Sequence, residues 1–514
     1  MNRQSGRVGG GQIKRLAMAV ALMSTPAFAS TLFTAGNLVV SVEGNGIAGA
    51  TSGSYTDNQA APLTLFQYSP AGTASATYVN SLVLPQTSSG SNSAVSSEYG
   101  SSSEGTLQLS GNGQYLTIAG YGVNAAAFNA NPGSFSSSFT NTALGQSGSL
   151  TGQSYTAVPR VVALIDANGV VNSSTALYNI FDANNPRSAY TADGTAIYVS
   201  GQGNSGDNTG GVFVTTLGSN SATSITGNDG GSGASQDTRA VQIYNGALYV
   251  SSDSKSGATN RDYIGTLGTA GSPPLTLANG GNGPTELSGF GNSGGTGKLT
   301  INSTNGNGIN SSGEIVNLSP ENYFFANPST LYVADSGSPK NTSGGSPQGD
   351  GGLQKWVNSK PDGSGTWTLE YTLSAGLNLE QNNATNSGDT DGTTGLYGLT
   401  GEVIGNEVEL FATNYTIADL DPTFLYGITD TLSATTSAGE SFTELAEAPV
   451  DSNFKGVSFA PVASQTAAPE PASFTLLLLA MTGLLVIRRR KARPSRRFDP
   501  GSVIGSRQAP SHCA

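Results

Sequence analysis

The sequence predicts an all-β protein, a β-propeller of six four-stranded blades. Three features lead to this prediction: a hairpin pattern that recurs along the chain, glycine-rich turns between short apolar runs, and an incomplete set of strands at each end. No long segment between residues 30 and 462, called the body below, has the 3.6-residue period of an amphipathic helix. We therefore expect almost no helix in the body.

The recurring pattern is an apolar segment, a tight turn, and a second segment that ends in small or polar residues. Its copies begin at Thr106, Ser188, Ala240, Tyr323 and, in a looser form, Gly395. Turns such as Asn245-Gly246 supply the positive-φ residues that tight hairpins require. Self-similarity of this kind is the signature of a repeat architecture.

Two further strand-like runs follow each hairpin, which gives the four strands of a propeller blade. The pairs of runs begin at Val161 and Ala176, Gly211 and Ser221, Asp262 and Pro274, Gly352 and Trp367, and Thr423 and Ser441. The segment 270–325 fits this template least well, so a seventh blade there is an alternative. The other all-β alternatives are a pair of β-sandwiches, which does not predict a blade shared by the two ends, and a β-helix, whose repeats are only about 20–30 residues long.

The two ends of the body complete the count of blades. Runs that begin at Asn37, Leu63 and Tyr78 form a unit that lacks its first strand, and the run from Phe454 is a first strand without followers. Joined in space, they make one blade and leave no sheet edge open. We therefore expect Val457 and Phe459 to pair with the strand over residues 37–44.

The N-terminal segment has the three parts of a secretory signal peptide in their usual order. A basic region is followed by an apolar region over residues 16–23, and Ala27-Phe28-Ala29 is a small-residue cleavage site before Ser30. Residues 1–29 are therefore predicted to be removed during export.

The C-terminal segment contains a proline-rich motif, an apolar run and a basic cluster. Pro469-Glu470-Pro471 lies in a linker over residues 463–471, and the apolar run 472–487 is shorter than the roughly 20 residues that cross a bilayer comfortably. The basic cluster contains Arg488, Arg489 and Arg490. Under the positive-inside rule, residues 472–487 form a transmembrane segment and residues 488–514 a basic cytoplasmic tail.

This order of motif, apolar run and basic cluster resembles the PEP-CTERM sorting signal of Gram-negative bacteria. The resemblance covers about the last tenth of the chain, which departs from the family pattern by continuing over residues 494–514. It implies that a membrane-embedded exosortase recognises the tail and removes it, so that the body reaches the cell surface after transient anchoring. Members of the family typically belong to bacteria that make exopolysaccharide, which implies a role in the extracellular matrix and extracellular polysaccharide as a partner.

The body is strongly acidic. It holds ten of the 22 basic residues and 32 of the 34 acidic ones, for a net charge near −22. Nucleic acids and anionic membranes are bound through basic patches, so neither is expected to bind the body.

The body also lacks cysteine and histidine, because the single residues of each type are His512 and Cys513. This composition excludes Cys or His zinc sites, haem ligation through either residue, cysteine nucleophiles and Ser-His-Asp triads from the body. No catalytic residue and no cofactor are predicted, with Ca²⁺ as the one exception. Asp389 and Asp391, before Gly392, suit a weak Ca²⁺ site in a tight turn, and a solvated acidic turn is the alternative.

One hairpin carries three glutamates, Glu402, Glu407 and Glu409. Paired carboxylates act as acid and base in glycoside hydrolysis when roughly 5–9.5 Å apart, and the alternative is a set of exposed edge charges.

Three arginines and two tryptophans complete the candidates. Arg160, Arg187 and Arg239 lie at or near the starts of blade strands, where they are expected to pair with aspartates near the channel as structural ties or to hold an acidic sugar. Trp356 and Trp367 suit stacking on a sugar ring or packing within a blade.

These features support two functions of different classes. The first is an exported, surface-sorted propeller without catalysis, a binding or structural component of the extracellular matrix. The alternative is a secreted hydrolase or lyase that uses carboxylates and Ca²⁺ on polysaccharide or phosphoester substrates. Clustering of Asp, Glu, Arg and Tyr at one mouth of the channel would favour the enzyme, and scattered charges would favour the binding protein.

We expect exported protein to begin at Ser30, because signal peptidase cleaves after the small residues Ala27 and Ala29. N-terminal sequencing of secreted protein measures this directly. The variant Ala29→Arg, which places a bulky charge in the cleavage site, should keep the leader. Exported protein that retains Met1 would contradict the prediction.

Overall fold

The strands of the propeller form six antiparallel sheets in the computed structural model. The structure describes residues 31–463 except 51, 54, 139–142, 205–206, 228–236, 255–260, 291–317, 338–350, 380–391 and 438. The strands of the first half are β1 (Leu38–Gly44), β2 (Ala60–Pro62), β3 (Thr64–Pro70), β4 (Ala76–Val83), β5 (Ser96–Glu98), β6 (Gln108–Leu109), β7 (Tyr115–Tyr121), β8 (Arg160–Asp166), β9 (Val171–Leu177), β10 (Pro186–Thr191), β11 (Ala196–Gly201), β12 (Gly211–Thr216) and β13 (Thr223–Ser224). Those of the second half are β14 (Thr238–Tyr244), β15 (Ala247–Ser254), β16 (Arg261–Leu267), β17 (Thr285–Glu286), β18 (Pro320–Asn327), β19 (Thr330–Asp335), β20 (Gly352–Asn358), β21 (Trp367–Leu373), β22 (Thr393–Ile404), β23 (Glu407–Thr416), β24 (Phe424–Thr431), β25 (Thr443–Glu447) and β26 (Ser452–Phe459).

Each sheet is one blade. Blade 1 has the strand order β26-β1-β3-β4. Blade 2 contains β6 to β9; β5 and β6 both pair with β7, and β2 pairs with β5. Blades 3 to 6 are β10–β13, β14–β17, β18–β21 and β22–β25. The first strands of successive blades contact one another around the ring, and β26 contacts both β22 and β6. The prediction of six blades is confirmed, and five of them have the predicted four strands, whereas the sheet of blade 2 has six.

The ring closes through pairing of the two ends of the body. Leu38 pairs with Phe459 and Val40 with Val457 in an antiparallel register. Phe454 and Val457 are fully buried in one core cluster with residues of β1 and β3. The predicted pairing is confirmed, and it removes the edge that an open sheet would expose.

The turn chemistry explains why these residues form hairpins. Asn245 and Gly246 both have positive φ, 46° and 76°, and join Tyr244 to Ala247 in a two-residue loop. Asparagine and glycine tolerate this left-handed conformation, whose twist matches that of the flanking strands. The blades then pack face to face, since core clusters draw their side chains from neighbouring blades.

Two predicted fourth strands differ from the structure. The run from Pro274 is not a strand: Leu275 and Leu277 are more than half exposed, and β17 completes blade 4 instead. Two adjacent prolines lack the N–H donors that a strand needs. The strand predicted from Ala176 begins too late, because β9 already ends at Leu177. The positive φ of Asn179 then turns the chain out of the strand direction.

Four short elements escaped the sequence pattern: β2, β5, β17 and the helix α1 (Ala125–Ala130). Two 3-10 turns, Pro132–Phe135 and Asn279–Gly281, complete the helical content, so the described body is almost free of helix as predicted. In the segment 270–325, the described residues belong to blades 4 and 5, and residues 291–317 lie outside the described part.

The predicted targeting segments lie outside the described residues. This applies to the signal peptide 1–29, the Pro-Glu-Pro motif, the apolar run 472–487 and the basic tail. Within the described part, none of the helices has the length and apolar character needed to span a bilayer.

Removing β26 should destabilise the body far more than removing the residues after it. A chain ending before Phe454 loses the burial of two core side chains and exposes the edge of β1, at a cost on the order of 5 kcal/mol. The control ends before Ala463 and keeps the whole strand. Chemical denaturation of the two purified bodies measures the difference, and equal unfolding free energies would refute closure by β26.

Candidate functional site

Buried charged side chains concentrate at one end of the ring, where the first strands begin and the second strands end. We call this end the mouth and define it by Glu43, Glu104, Arg239, Glu321 and Lys455. Arg239 and Glu321 are the second residues of β14 and β18, and Lys455 lies in the first half of β26. All five side chains are buried. Because neighbouring first strands run in the same direction, residues at their starts are brought together from distant parts of the chain.

Arg239 is the centre of an ion-pair network that joins blades 4 and 5. Its Nη1 donates to Glu321 Oε2 at 2.9 Å, and its Nη2 donates to Asp253 Oδ2 at 3.0 Å. Its Nε lies 3.5 Å from Asp237 Oδ1. Ser336 Oγ donates to the second oxygen of Glu321 at 3.2 Å. One guanidinium thus neutralises carboxylates from three strands or loops.

Arg187, at the start of blade 3, extends this network. Its Nη1 forms an ion pair with Asp237, and its Nη2 donates to Gln202 Oε1 at 2.8 Å. The expectation that arginines at blade starts pair with aspartates therefore describes Arg187 and Arg239. The pairs tie blades 3, 4 and 5 together at the mouth.

Burial and neighbouring charges set the pKa values of this network. Burial lowers the pKa of Arg187 to about 9, and the like charge of Arg239 adds to the shift. Burial also opposes the charge on Arg239, but Glu321 and Asp253 outweigh it, so the pKa of Arg239 lies above its ordinary value. Burial raises the pKa of Glu321, although Arg239 offsets part of that shift.

A second group of acidic residues faces the mouth from blades 1 and 2. Glu104 accepts hydrogen bonds from the Tyr121 hydroxyl and from the Asn185 amide, and its Oε2 accepts one from the Glu98 backbone N–H at 3.3 Å. Tyr397, from blade 6, donates to the Glu104 carbonyl at 2.7 Å. Burial raises the pKa values of both Glu98 and Glu104, and the mutual repulsion of the two carboxylates adds to the shift of Glu98.

Glu43 is the exception among these carboxylates. Neither of its oxygens has a hydrogen-bond partner, and the nearest cation, Lys455 Nζ, is 4.0 Å from Oε2. Burial raises the pKa of Glu43 well above its ordinary value, Lys455 lowers it, and the charges of Glu104 and Glu98 raise it further. A strongly shifted carboxyl in a cluster of charges marks a candidate functional group.

Arg160 differs from the other two arginines because its hydrogen bonds go to neutral oxygens. Its Nη2 donates to the carbonyls of Ser147 at 2.7 Å and Phe181 at 2.8 Å, and its guanidinium lies 4.7 Å from the centre of the Tyr121 ring. The aspartate partner expected for Arg160 is therefore replaced by carbonyl groups. The side chain is buried and ties the insertion of blade 2 to the loop before β10.

The described part of the mouth contains one small cavity beside blade 6. A cavity of about 10 Å³ lies beside Tyr397, Tyr415 and Lys455, which is the smallest volume that holds a single water.

A separate buried charge pair ties blades 5 and 6. Lys355 Nζ lies 3.0 Å from Asp430 Oδ2 and donates to the Tyr371 hydroxyl at 2.9 Å. Tyr332 and Tyr371 both donate to Asp430. Burial and the Asp430 carboxylate raise the pKa of the nearby Glu440 to about 7.

The glutamates of the predicted hairpin lie at the end of the strands opposite the mouth. Glu402 pairs across the strands with Glu409, so the structure brings these carboxylates together with Glu407 on one face. Glu402 and Glu407 are exposed, and burial with repulsion from both raises the pKa of Glu409.

The remaining candidates take structural positions or lie outside the described part. Trp356 stacks on Phe290 with ring centres 4.1 Å apart, and Trp367 is buried in the same cluster, so both belong to the core. Asp389 and Asp391 are outside the described residues. Among the residues that are described, no three His, Cys, Asp or Glu side chains are placed to hold a metal ion.

The sequence contained a signal for part of the mouth that single-residue reasoning missed. Asp253 and Asp335 each follow a Leu-Tyr-Val run near the ends of β15 and β19, three and two residues after the valine, so the repeats place an acid in the same region of each second strand. Glu43, Glu98 and Glu104 have no such repeat, and only the fold brings them together.

Comparisons with known proteins identify no family. No protein-family model matches the chain, and no curated protein is similar to it. Among solved structures, it is similar to a hypothetical selenium-binding protein from Sulfolobus tokodaii, with 11% identity, 84% of this chain and 95% of that chain covered, and a TM-score of 0.37. It is also similar to the dihydro-heme d1 dehydrogenase NirN, with 10% identity, 85% and 77% covered, and a TM-score of 0.32. Likenesses this distant carry no functional conclusion.

Replacing Arg239 by methionine should cost about 3–5 kcal/mol of unfolding free energy, because it leaves buried carboxylates without their cation. The triple variant Arg239→Met, Asp253→Asn, Glu321→Gln should recover part of the loss, since it removes the uncompensated charges. Urea denaturation of the three proteins at neutral pH measures both effects. A cost below about 1 kcal/mol for the single change would show that the network does not hold the mouth together.

Proposed function

We propose that this protein is an exported, surface-sorted propeller without catalysis that serves as a binding or structural component of the extracellular matrix. The observation that supports a role without catalysis is the pairing of buried arginines with carboxylates at the mouth. Arg187 and Arg239 are buried and paired with carboxylates, and the cavity beside Lys455 is about 10 Å³. A catalytic centre must admit a substrate, and ligand pockets usually enclose roughly 300–1,000 Å³.

The proposed localisation depends on the two ends of the chain. The signal peptide 1–29 directs export, and the apolar run 472–487 holds the protein in the inner membrane as a short transmembrane segment with the basic tail in the cytoplasm. An exosortase-type enzyme of a Gram-negative bacterium then acts at the Pro-Glu-Pro motif and releases or transfers the body. The acidic charge of the body supports this route, because it keeps the body soluble and off anionic membranes.

A secreted hydrolase or lyase acting on polysaccharide or phosphoesters is the second candidate. Two observations favour it: acidic residues, arginines and tyrosines cluster at one mouth, and three carboxyls there, Glu43, Glu98 and Glu104, have raised pKa values. Such groups are suited to act as general acids near neutral pH. Asp389 and Asp391 stay a predicted Ca²⁺ site for this alternative. Release of reducing ends from polysaccharide would favour the enzyme, provided that Glu104→Gln abolishes it.

Replacing Pro469-Glu470-Pro471 by three alanines should leave membrane insertion intact and prevent release of the body. The prolines hold the motif extended and present its backbone to a processing enzyme, whereas the apolar span is untouched. Cell fractionation in a host that has an exosortase measures anchored and released protein.

The matched control replaces Ser464-Gln465-Thr466 by alanines in the same linker. This control should be released as fully as the native protein. If the variant without the Pro-Glu-Pro motif is also released fully, the tail is a plain anchor cut by another protease, and the matrix assignment loses its support.

A further inference from the structure

A cleft of about 350 Å³ opens on the second blade, away from the buried ion pairs of the mouth. It lies between the loop that follows β4 and the insertion that joins β7 to β8. Gln86 and Thr87 line it from the loop, and Asn124, Phe135 and Thr156 line it from the insertion. Its volume lies within the range of small-molecule sites, unlike the cavity at the mouth.

The cleft is lined without charge. None of the eleven residues around it is acidic or basic, although the body as a whole carries a net charge near −22. An anionic ligand would meet no cation there and would be repelled by the body. A cationic ligand would have to leave water without gaining a counter-ion. The lining therefore selects a neutral ligand.

The side-chain amides of Gln86 and Asn124 are held by hydrogen bonds to the protein, and each retains an N–H donor. Gln86 Nε2 donates to the Val95 carbonyl at 2.7 Å, and Asn124 Nδ2 donates to the Gln86 carbonyl at 2.8 Å. The Asn124 Oδ1 accepts from the Ala127 N–H at 2.9 Å. Each NH₂ group carries two donors, so each amide has one proton left for a ligand. Because protein contacts already fix both side chains, binding loses little of their rotamer freedom.

Hydroxyl groups and one aromatic ring complete the lining. Thr87 and Thr156 are exposed, and neither hydroxyl hydrogen-bonds to the protein. Phe135 is half-buried and stacks on Phe128, with ring centres 5.2 Å apart and an angle of 30° between the planes. This stacking orients an apolar surface beside the free donors and acceptors.

We propose that this cleft binds one or two residues of a neutral polysaccharide, an inference that rests on the proposed matrix function and names its ligand class. A sugar ring has an apolar face that packs on an aromatic ring, and hydroxyls at its edge that bond to amides and hydroxyls. Both kinds of group meet in this cleft, and the absence of charge excludes uronic acids. The three arginines that could hold an acidic sugar already bond to protein groups: Arg187 and Arg239 pair with carboxylates, and Arg160 donates to carbonyls.

The test uses the purified body and a printed panel of neutral gluco-, manno- and galacto-oligosaccharides beside uronate-containing oligosaccharides of equal length. The strongest neutral binder is then titrated calorimetrically. Thr156→Trp fills the cleft from an exposed position and should weaken binding by roughly tenfold or more. Phe135→Ala removes the stacking surface and should weaken it up to about tenfold. Ser154→Trp, an equally exposed position of the same insertion outside the cleft, should bind like the native protein.

Thermal melting of each variant separates loss of the site from loss of the fold. The inference is overturned if no neutral oligosaccharide binds, if uronates bind better, or if Thr156→Trp binds as well as Ser154→Trp. Retention in the matrix of intact cells is then measured for the native protein and for Thr156→Trp. This measurement distinguishes failure of the cleft from failure of the proposed function. Matrix retention without sugar binding would reject the cleft alone, whereas a native protein that never reaches the matrix would reject the proposed function.

Discussion

The pairing of β1 with β26 is the constraint on which the rest of the structure depends. Ser41 Oγ accepts from the Gly456 N–H at 2.8 Å across a separation of 415 residues, and the strands pair on both sides of a register shift between Val40 and Val42. Closing a loop of that length costs entropy before any local contact repays it. Once the strands meet, the first strands of all six blades are fixed relative to one another, and the charged residues at their starts converge. The mouth is therefore a consequence of ring closure, and the propeller is expected to assemble slowly because its decisive contact is so distant.

Local patterns were sufficient to predict most of the fold. Asn245-Gly246 specifies a tight turn through backbone conformations that few other residues adopt, and alternating runs such as β18 to β21 bury one face against each neighbouring blade. The errors have equally local causes. The run from Pro274 is apolar enough for a strand, but its prolines remove donors and tertiary context left its leucines exposed. β2 and β5 are too short to show a period, so their pairing was visible only in three dimensions.

The sequence showed less of the site than of the fold. The sparse arginines at blade starts indicated ion pairs, because a body with few cations has many carboxylates to share among them. Their partners could not be assigned: Asp237, Asp253 and Glu321 come from three separate places, and Arg160 bonds to carbonyls instead. The cleft of blade 2 was invisible for a related reason. Its amides, hydroxyls and ring have no shared spacing, and they become neighbours only because a loop and an insertion meet on one blade.

Charge burial determines how the ion pairs of the mouth respond to water. Each ion there has left water, and the attraction between Arg239 and its carboxylates offsets that loss only while the geometry stays dry and close. Admitting a ligand would separate the pairs or expose them to solvent. Glu43 has also left water, but neither of its oxygens has a hydrogen-bond partner. Burying such a carboxyl costs less free energy when it carries a proton. The direction of its pKa shift agrees, because burial and the neighbouring glutamates both favour the neutral form. The mouth thus pairs its arginines with carboxylates, and burial shifts the pKa of Glu43, whose oxygens have no hydrogen-bond partner, towards the neutral form.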